Sequence, residues 1–187
     1  MQVIAGKARR IPLVTPEGRD TRPTTTRIKE TLFNIIQSEI PGASFLDLFS
    51  GSGSIGIEAC SRGAEPVVLV EFARKSLQCI DINLTKTKLK DEIRVLPMEV
   101  SLGIAKLSRE GQRFDIIFAD PPYRDGYEER ILQWIQEERI VKKDTLIILE
   151  CAMDTEVDFY DENLFHLEKV KEYKNNKHVF LRVTAEL

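Results

Sequence analysis

The sequence predicts an α/β protein: a doubly wound, mostly parallel seven-stranded sheet with a C-terminal antiparallel hairpin, plus a small N-terminal β-hairpin and helix. Three observations predict it. From residue 45 onward, short apolar runs alternate with segments of helical periodicity, the rhythm of βαβ units. Runs such as Phe114–Ala119 are nearly continuous in apolar residues, which suits parallel strands buried on both faces. The last two β-like runs, 165–173 and 178–184, are separated only by Lys174-Asn175-Asn176-Lys177, whose Asn-Asn pair suits a tight turn.

Taken in order, Met1–Ala5 and Arg10–Val14 are β-like and flank Gly6-Lys7, giving the basic hairpin. Pro16-Glu17-Gly18 is a turn, and Thr24, Thr25 and Thr26 are candidate N-caps for the helix that follows. That helix places Ile28, Leu32, Ile35 and Ile36 on one face and stops at Pro41-Gly42. Strands are expected at Phe45–Phe49, Val67–Glu71, Ile93–Leu96, Phe114–Ala119 and Thr145–Glu150. Between them lie helices at Ile55–Arg62, around Leu77, Ile80 and Leu84, at Leu102–Leu107, and around Ile131, Trp134 and Ile135. At 187 residues the chain fits one domain, 1–187, with an N-terminal extension over 1–42 and a Rossmann-like core over 43–187.

Composition narrows the function classes. Hydrophobic residues make up 42% and charged residues 30%, which is ordinary for a soluble globular chain. No apolar run approaches membrane-spanning length and no signal-peptide core is present, so a cytoplasmic protein is expected. Cys60, Cys79 and Cys151 are widely spaced, which suits free thiols and no metal site. The net charge is −3, yet residues 1–31 carry +4 and the remainder −7. A basic end on an acidic body can meet a phosphate backbone locally, and Arg9 and Arg10 are the residues best placed to do so.

Two motifs carry chemistry. The strand Phe114–Ala119 ends in Asp120-Pro121-Pro122-Tyr123. Neither proline can donate a backbone hydrogen bond, so the loop is stiff and its carbonyls are free to accept. Carboxylate, carbonyl and aromatic ring together suit a planar group bearing an NH2: Asp120 and a proline carbonyl accept its hydrogens while Tyr123 stacks on its face. The second motif, Gly51-x-Gly53-x-x-Gly56, follows a strand and opens a helix, and Glu71 ends the next strand. An acid there can accept both hydrogens of a ribose cis-diol, which points to an adenosine-containing cofactor. A dinucleotide would place its pyrophosphate on the helix N-terminus, whereas S-adenosylmethionine would place its carboxylate there and its ammonium near Asp47. Asp47 favours the methyl donor; no Walker lysine follows the glycines. Across a doubly wound sheet the glycine loop and the end of the fourth strand can be neighbours, so each motif would complete the other.

With these motifs the chain resembles the bacterial small-subunit ribosomal RNA guanine-N2 methyltransferases, a family of class I S-adenosylmethionine-dependent methyltransferases. The resemblance covers nearly the whole chain and rests on Ala5-Gly6-Lys7, Arg22-Pro23-Thr24-Thr25-Thr26-Arg27, Lys29-Glu30-Thr31-Leu32-Phe33-Asn34, the glycine loop, Glu71 and Asp120-Pro121-Pro122-Tyr123. It implies the class I methyltransferase fold and N2-methylation of a guanine in ribosomal RNA; a small-subunit particle is the expected partner and a monomer is expected over an oligomer, with naked RNA or assembled subunit left open as the substrate. It further implies that Asp47, Phe49, Ser50, Gly51 and Gly53 line the methionine end of the cofactor, that Glu71 holds the ribose, and that Met98 and Glu99 meet the adenine. Asp120, Pro121, Pro122 and Tyr123 would be catalytic, with Arg22, Thr24, Arg27 and Arg10 toward the substrate.

Other functions share parts of this pattern. Methylation of a protein glutamine amide or of adenine N6 also uses an acid- or amide-Pro-Pro-Tyr loop. A nicotinamide oxidoreductase would use the glycines and Glu71 but leave that loop idle, and a non-catalytic RNA-binding module would leave both acids unused. His166 and His178 lie far along the chain from either motif and read as structural or surface residues. Trp134 reads as core, and Lys169–Lys177 as a solvated hairpin tip.

Overall fold

The computed structural model describes residues 1–16, 23–123 and 126–185. It divides into two compact units, Met1–Met98 and Glu99–Leu187. Among the described residues seven strands and five helices follow in the expected order, alternating up to β5: α1 (Pro23–Ile35), β1 (Phe45–Leu48), α2 (Ser54–Ser61), β2 (Val67–Glu71), α3 (Arg74–Thr87), β3 (Ile93–Pro97), α4 (Val100–Arg109), β4 (Phe114–Ala119), α5 (Tyr127–Glu138), β5 (Val141–Ala152), β6 (Phe165–Glu172) and β7 (Asn176–Val183). The strands make a seven-stranded mixed sheet. In the first unit the order is β3-β2-β1, all parallel. In the second it is β4-β5-β7-β6, with β5 parallel to β4 and β7 antiparallel to both neighbours.

The apolar runs explain this layering. β1, β2 and most of β4 and β5 are buried along their length, as strands covered on both faces must be. The helices bury one stripe each, for example Ile131, Leu132 and Ile135 on α5. Cys60 and Cys151 are buried free thiols; burial comes first among the causes that push Cys60 up to about 11 and Cys151 up to about 12. No helix among the described residues is long and apolar enough to cross a membrane.

Some local expectations change. The N-terminal pieces do pair as a short hairpin, the amides of Val3, Arg10 and Leu13 donating to the carbonyls of Ile11, Val3 and Met1 around the Gln2–Pro12 bridge, but the pairing is shorter than the two β-like runs. Pro12 has no N–H to offer, and the amides of Ile4 and Ala5 turn to the Glu58 carboxylate at 2.8 and 3.0 Å. Glu58 is fully buried and also receives Arg62 Nε at 2.8 Å and Lys29 Nζ at 3.3 Å. Helix α1 starts at Pro23, so Thr24–Thr26 lie inside it and none is its N-cap. The turn at 16–18, Arg22 and the side chain of Thr24 lie outside what the structure describes. Lys177 is buried, where a solvated tip was expected, with Nζ donating to the carbonyls of Met153 and Thr155. Trp134 is half-buried, with the Arg130 guanidinium 5.2 Å from its ring.

Candidate active site

In the first unit the glycine loop connects β1 to α2, and its shape follows from a few contacts. Gly53 caps α2 with φ 76°, a left-handed conformation that favours glycine, and as the N-cap residue it offers the helix no side-chain bond. Gly56 serves packing: a Cβ there would lie 2.2 Å from Leu69 Cδ2 on β2. Phe49 takes a left-handed φ of 58°, a backbone conformation that costs a non-glycine residue roughly 1–2 kcal/mol. Ser50 faces inward, its hydroxyl 2.6 Å from the Asp47 carbonyl and 3.2 Å from that of Val70. Asn83 of α3 ties the loop to the N-terminal arm, donating to the carbonyls of Ser52 and Val14 and accepting from the Val14 amide.

Two carboxylates converge on this loop. Asp47 is 1% exposed and accepts one hydrogen bond, from the Gly56 amide at 2.9 Å. Burial pushes its pKa up to about 7; the Gly56 bond opposes the shift and the nearby Glu71 adds to it. Glu71 accepts from the Gly51 amide at 2.7 Å on one oxygen, and from the Phe72 and Ala73 amides at 2.9 and 2.8 Å on the other. Of about four lone-pair directions on a carboxylate, three are thus committed to backbone. Asp47, Ser50, Gly51, Gly53 and Glu71 therefore form one cluster. Arg10 and Arg27 of this unit are exposed, and Met98, its last residue, is half-buried after β3.

In the second unit Glu99 is exposed at the N-cap of α4. Asp120 is half-buried where β4 ends, Pro121 is buried, and Pro122 and Tyr123 are exposed, the tyrosine by 42%. The Tyr123 hydroxyl donates to Glu150 Oε1 at 2.9 Å. Asn176 Nδ2 reaches the same oxygen, and His178 Nε2 lies 3.1 Å from the other. Burial, then the Glu150 and Asp120 carboxylates, hold the Tyr123 hydroxyl far above its ordinary range, so it remains a donor. Burial alone would raise Glu150, but the hydrogen bonds from His178, Tyr123 and Asn176 outweigh it and hold the carboxylate below its usual range.

His178 thus joins the Asp120–Tyr123 loop through Glu150, contrary to the remoteness expected from its place in the sequence. Glu150, Asn176 and His178 are given no part in the site by sequence reasoning: His178 reads as structural or surface, Asn176 as a turn residue and Glu150 as a strand end. The one sequence signal was an acid closing the apolar run Leu146–Leu149, as Asp120 closes Phe114–Ala119.

Comparison with known proteins agrees with this architecture. The family model described as Conserved hypothetical protein 95 matches residues 1–183. A "Ribosomal RNA small subunit methyltransferase D" of Haemophilus influenzae is 34% identical over 156 residues, covering 82% of this chain and 80% of that one. The protein of the same name from Escherichia coli K12 is 33% identical over 171 residues, 91% of this chain and 84% of its own. The solved structure "Putative methyltransferase yhhF from Escherichia coli" superposes with a TM-score of 0.84 at 29% identity, covering 99% of this chain and 98% of that one. With likeness running almost end to end, the chain belongs to the Conserved hypothetical protein 95 family, alongside these methyltransferases.

Proposed function

We propose that this chain uses S-adenosylmethionine to methylate the exocyclic N2 of a guanine in small-subunit ribosomal RNA. The observation that carries the reading is the chemistry of the glycine-loop cluster. A buried carboxylate, Asp47, takes the Gly56 amide in the first turn of α2, and the N-cap, Gly53, brings no side chain to the helix end. A cation beside Asp47 and an anion at the helix end would both be stabilised, which matches the ammonium and carboxylate of an amino acid. A dinucleotide would instead set its doubly negative pyrophosphate at the same helix end, beside the Asp47 carboxylate. Glu71 retains one uncommitted lone-pair direction for a ribose hydroxyl, and Met98 and Glu99 are the residues proposed toward the adenine. When bound, S-adenosylmethionine supplies an electrophilic methyl group on a sulfonium.

The remaining work belongs to the Asp120–Tyr123 loop. Guanine N2 is a poor nucleophile because its lone pair is delocalised into the ring. Hydrogen bonds from the amine to Asp120 and to a Pro121 or Pro122 carbonyl favour a more pyramidal nitrogen with a directed lone pair. Alignment of this kind accounts for several kcal/mol of barrier, on the order of 7–11 kcal/mol at its limit. Asp120 takes a proton as the nitrogen becomes cationic, and no prior deprotonation is needed. Tyr123 stacks on the base, which must be unpaired or flipped out to reach the loop. Arg10, Arg22, Thr24 and Arg27 are proposed to meet the RNA. Its ribosomal origin is supported by the names of the relatives.

The test is transfer of labelled methyl from S-adenosylmethionine to naked small-subunit RNA, assembled small subunits, DNA and release-factor-type protein, followed by nucleoside analysis. The expected product is N2-methylguanosine, formed by the monomer and in greater yield on the assembled particle. Label confined to N6-methyladenine or to protein refutes the reading.

A further inference from the structure

The C-terminal hairpin does more than close the sheet. Strand β7 pairs with β5 so that His178 faces Glu150 and Asn176 faces Ala152. Residues two apart on a strand share a face, so the side chains of Asn176 and His178 converge on the same glutamate. All three side-chain donors around Glu150 then point at it: Tyr123 and Asn176 at Oε1, His178 at Oε2. On the far side of the imidazole the Tyr173 hydroxyl lies 3.2 Å from Nδ1. With Nε2 carrying the proton toward Glu150, Nδ1 accepts from Tyr173, and the chain Tyr173, His178, Glu150 is satisfied at every step.

The histidine is held as firmly as the glutamate. It is 1% exposed and meets the rings of Phe118, Tyr173 and Phe180 edge-on, at centroid distances of 5.9, 5.0 and 6.3 Å. Tyr123, by contrast, is 42% exposed and follows two prolines, so its ring has little packing to choose a rotamer. Its hydroxyl is spent on Glu150, which leaves the ring face as the part available to a ligand.

We infer that Glu150, held in place by Asn176 and His178 of β7, is a positioning residue that fixes the ring of Tyr123 for the base being methylated. The inference rests on the methyl-transfer reading. A side chain that is already ordered forgoes an ordering cost on binding, and small displacements from a productive geometry cost up to about 100-fold in rate.

The experiment is a double-mutant cycle on full-length protein, read as single-turnover methyl transfer at saturating RNA and as S-adenosylmethionine affinity. Tyr123→Phe and Glu150→Ala should each lower transfer by about 10-fold, with cofactor affinity unchanged and the double variant no slower than the slower single. Losses that multiply in the double variant would overturn the inference, because Glu150 would then act independently of the tyrosine. Glu150→Ala leaves buried donors without a partner, so folding is safeguarded by Glu150→Gln in protein labelled with fluorotyrosine. The fluorine signal of residue 123, assigned with Tyr123→Phe, should shift in that variant; an unmoved signal overturns the inference. Should wild-type protein transfer no methyl to RNA, the functional reading fails, while the fluorine signal still decides whether Glu150 holds Tyr123.

Discussion

Asp47 is the residue whose chemistry is most unusual for its type. A carboxyl raised to about 7 binds its proton more tightly in the folded chain than in the unfolded one. Its contribution is therefore present at low pH and lost as pH rises from about 4 through about 7, by on the order of 4 kcal/mol in full. Asp47→Asn keeps an acceptor for the Gly56 amide and removes the buried charge. The variant should be more stable than wild type near pH 8, with a margin that vanishes near pH 4, measured by urea unfolding. Equal stability at both pH values would mean that Asp47 is not raised. Cofactor affinity should run the opposite way. Wild type should bind S-adenosylmethionine more tightly as pH rises through about 7, because the anion attracts the ammonium, and Asp47→Asn should flatten that profile in calorimetry.

Elements hold these residues by close approach. Helix α2 lies so near β2 that Gly56 has no room for a methyl group. Gly56→Ala should cost about 1–3 kcal/mol in denaturant unfolding, and Gly56→Ala with Leu69→Val should recover part of it. The same helix anchors the N-terminal arm through Glu58, which binds two arm amides, Lys29 and Arg62. Glu58→Ala strands those buried donors and should cost about 3–5 kcal/mol, read from the urea midpoint. The identity and order of the elements were legible because apolar runs and helical stripes persist over many residues. Their anchoring was not. Nothing in the spacing of Glu58, Asn83 or Lys177 announces partners that lie 22 to 69 residues away along the chain.

At the scale of the whole molecule, the alternation of strands and helices and the antiparallel hairpin of β6 and β7 could be read in advance, whereas the place of β7 between β5 and β6 could not. The glycine loop, Asp47, Glu71 and Asp120-Pro121-Pro122-Tyr123 could also be read, since each motif is contiguous or closes a strand. The Glu150–His178 link could not, because it depends on strand register, which a sequence shows only after pairing is known. The account divides the labour between a cofactor cluster built on Asp47 and Glu71 and an amine-gripping loop built on Asp120. That division is tested most directly by Asp120→Ala, with methyl transfer and S-adenosylmethionine affinity measured on the same protein. The account predicts that transfer to RNA falls by at least about 100-fold while cofactor affinity stays within about twofold of wild type. Turnover comparable to wild type in that variant would contradict it.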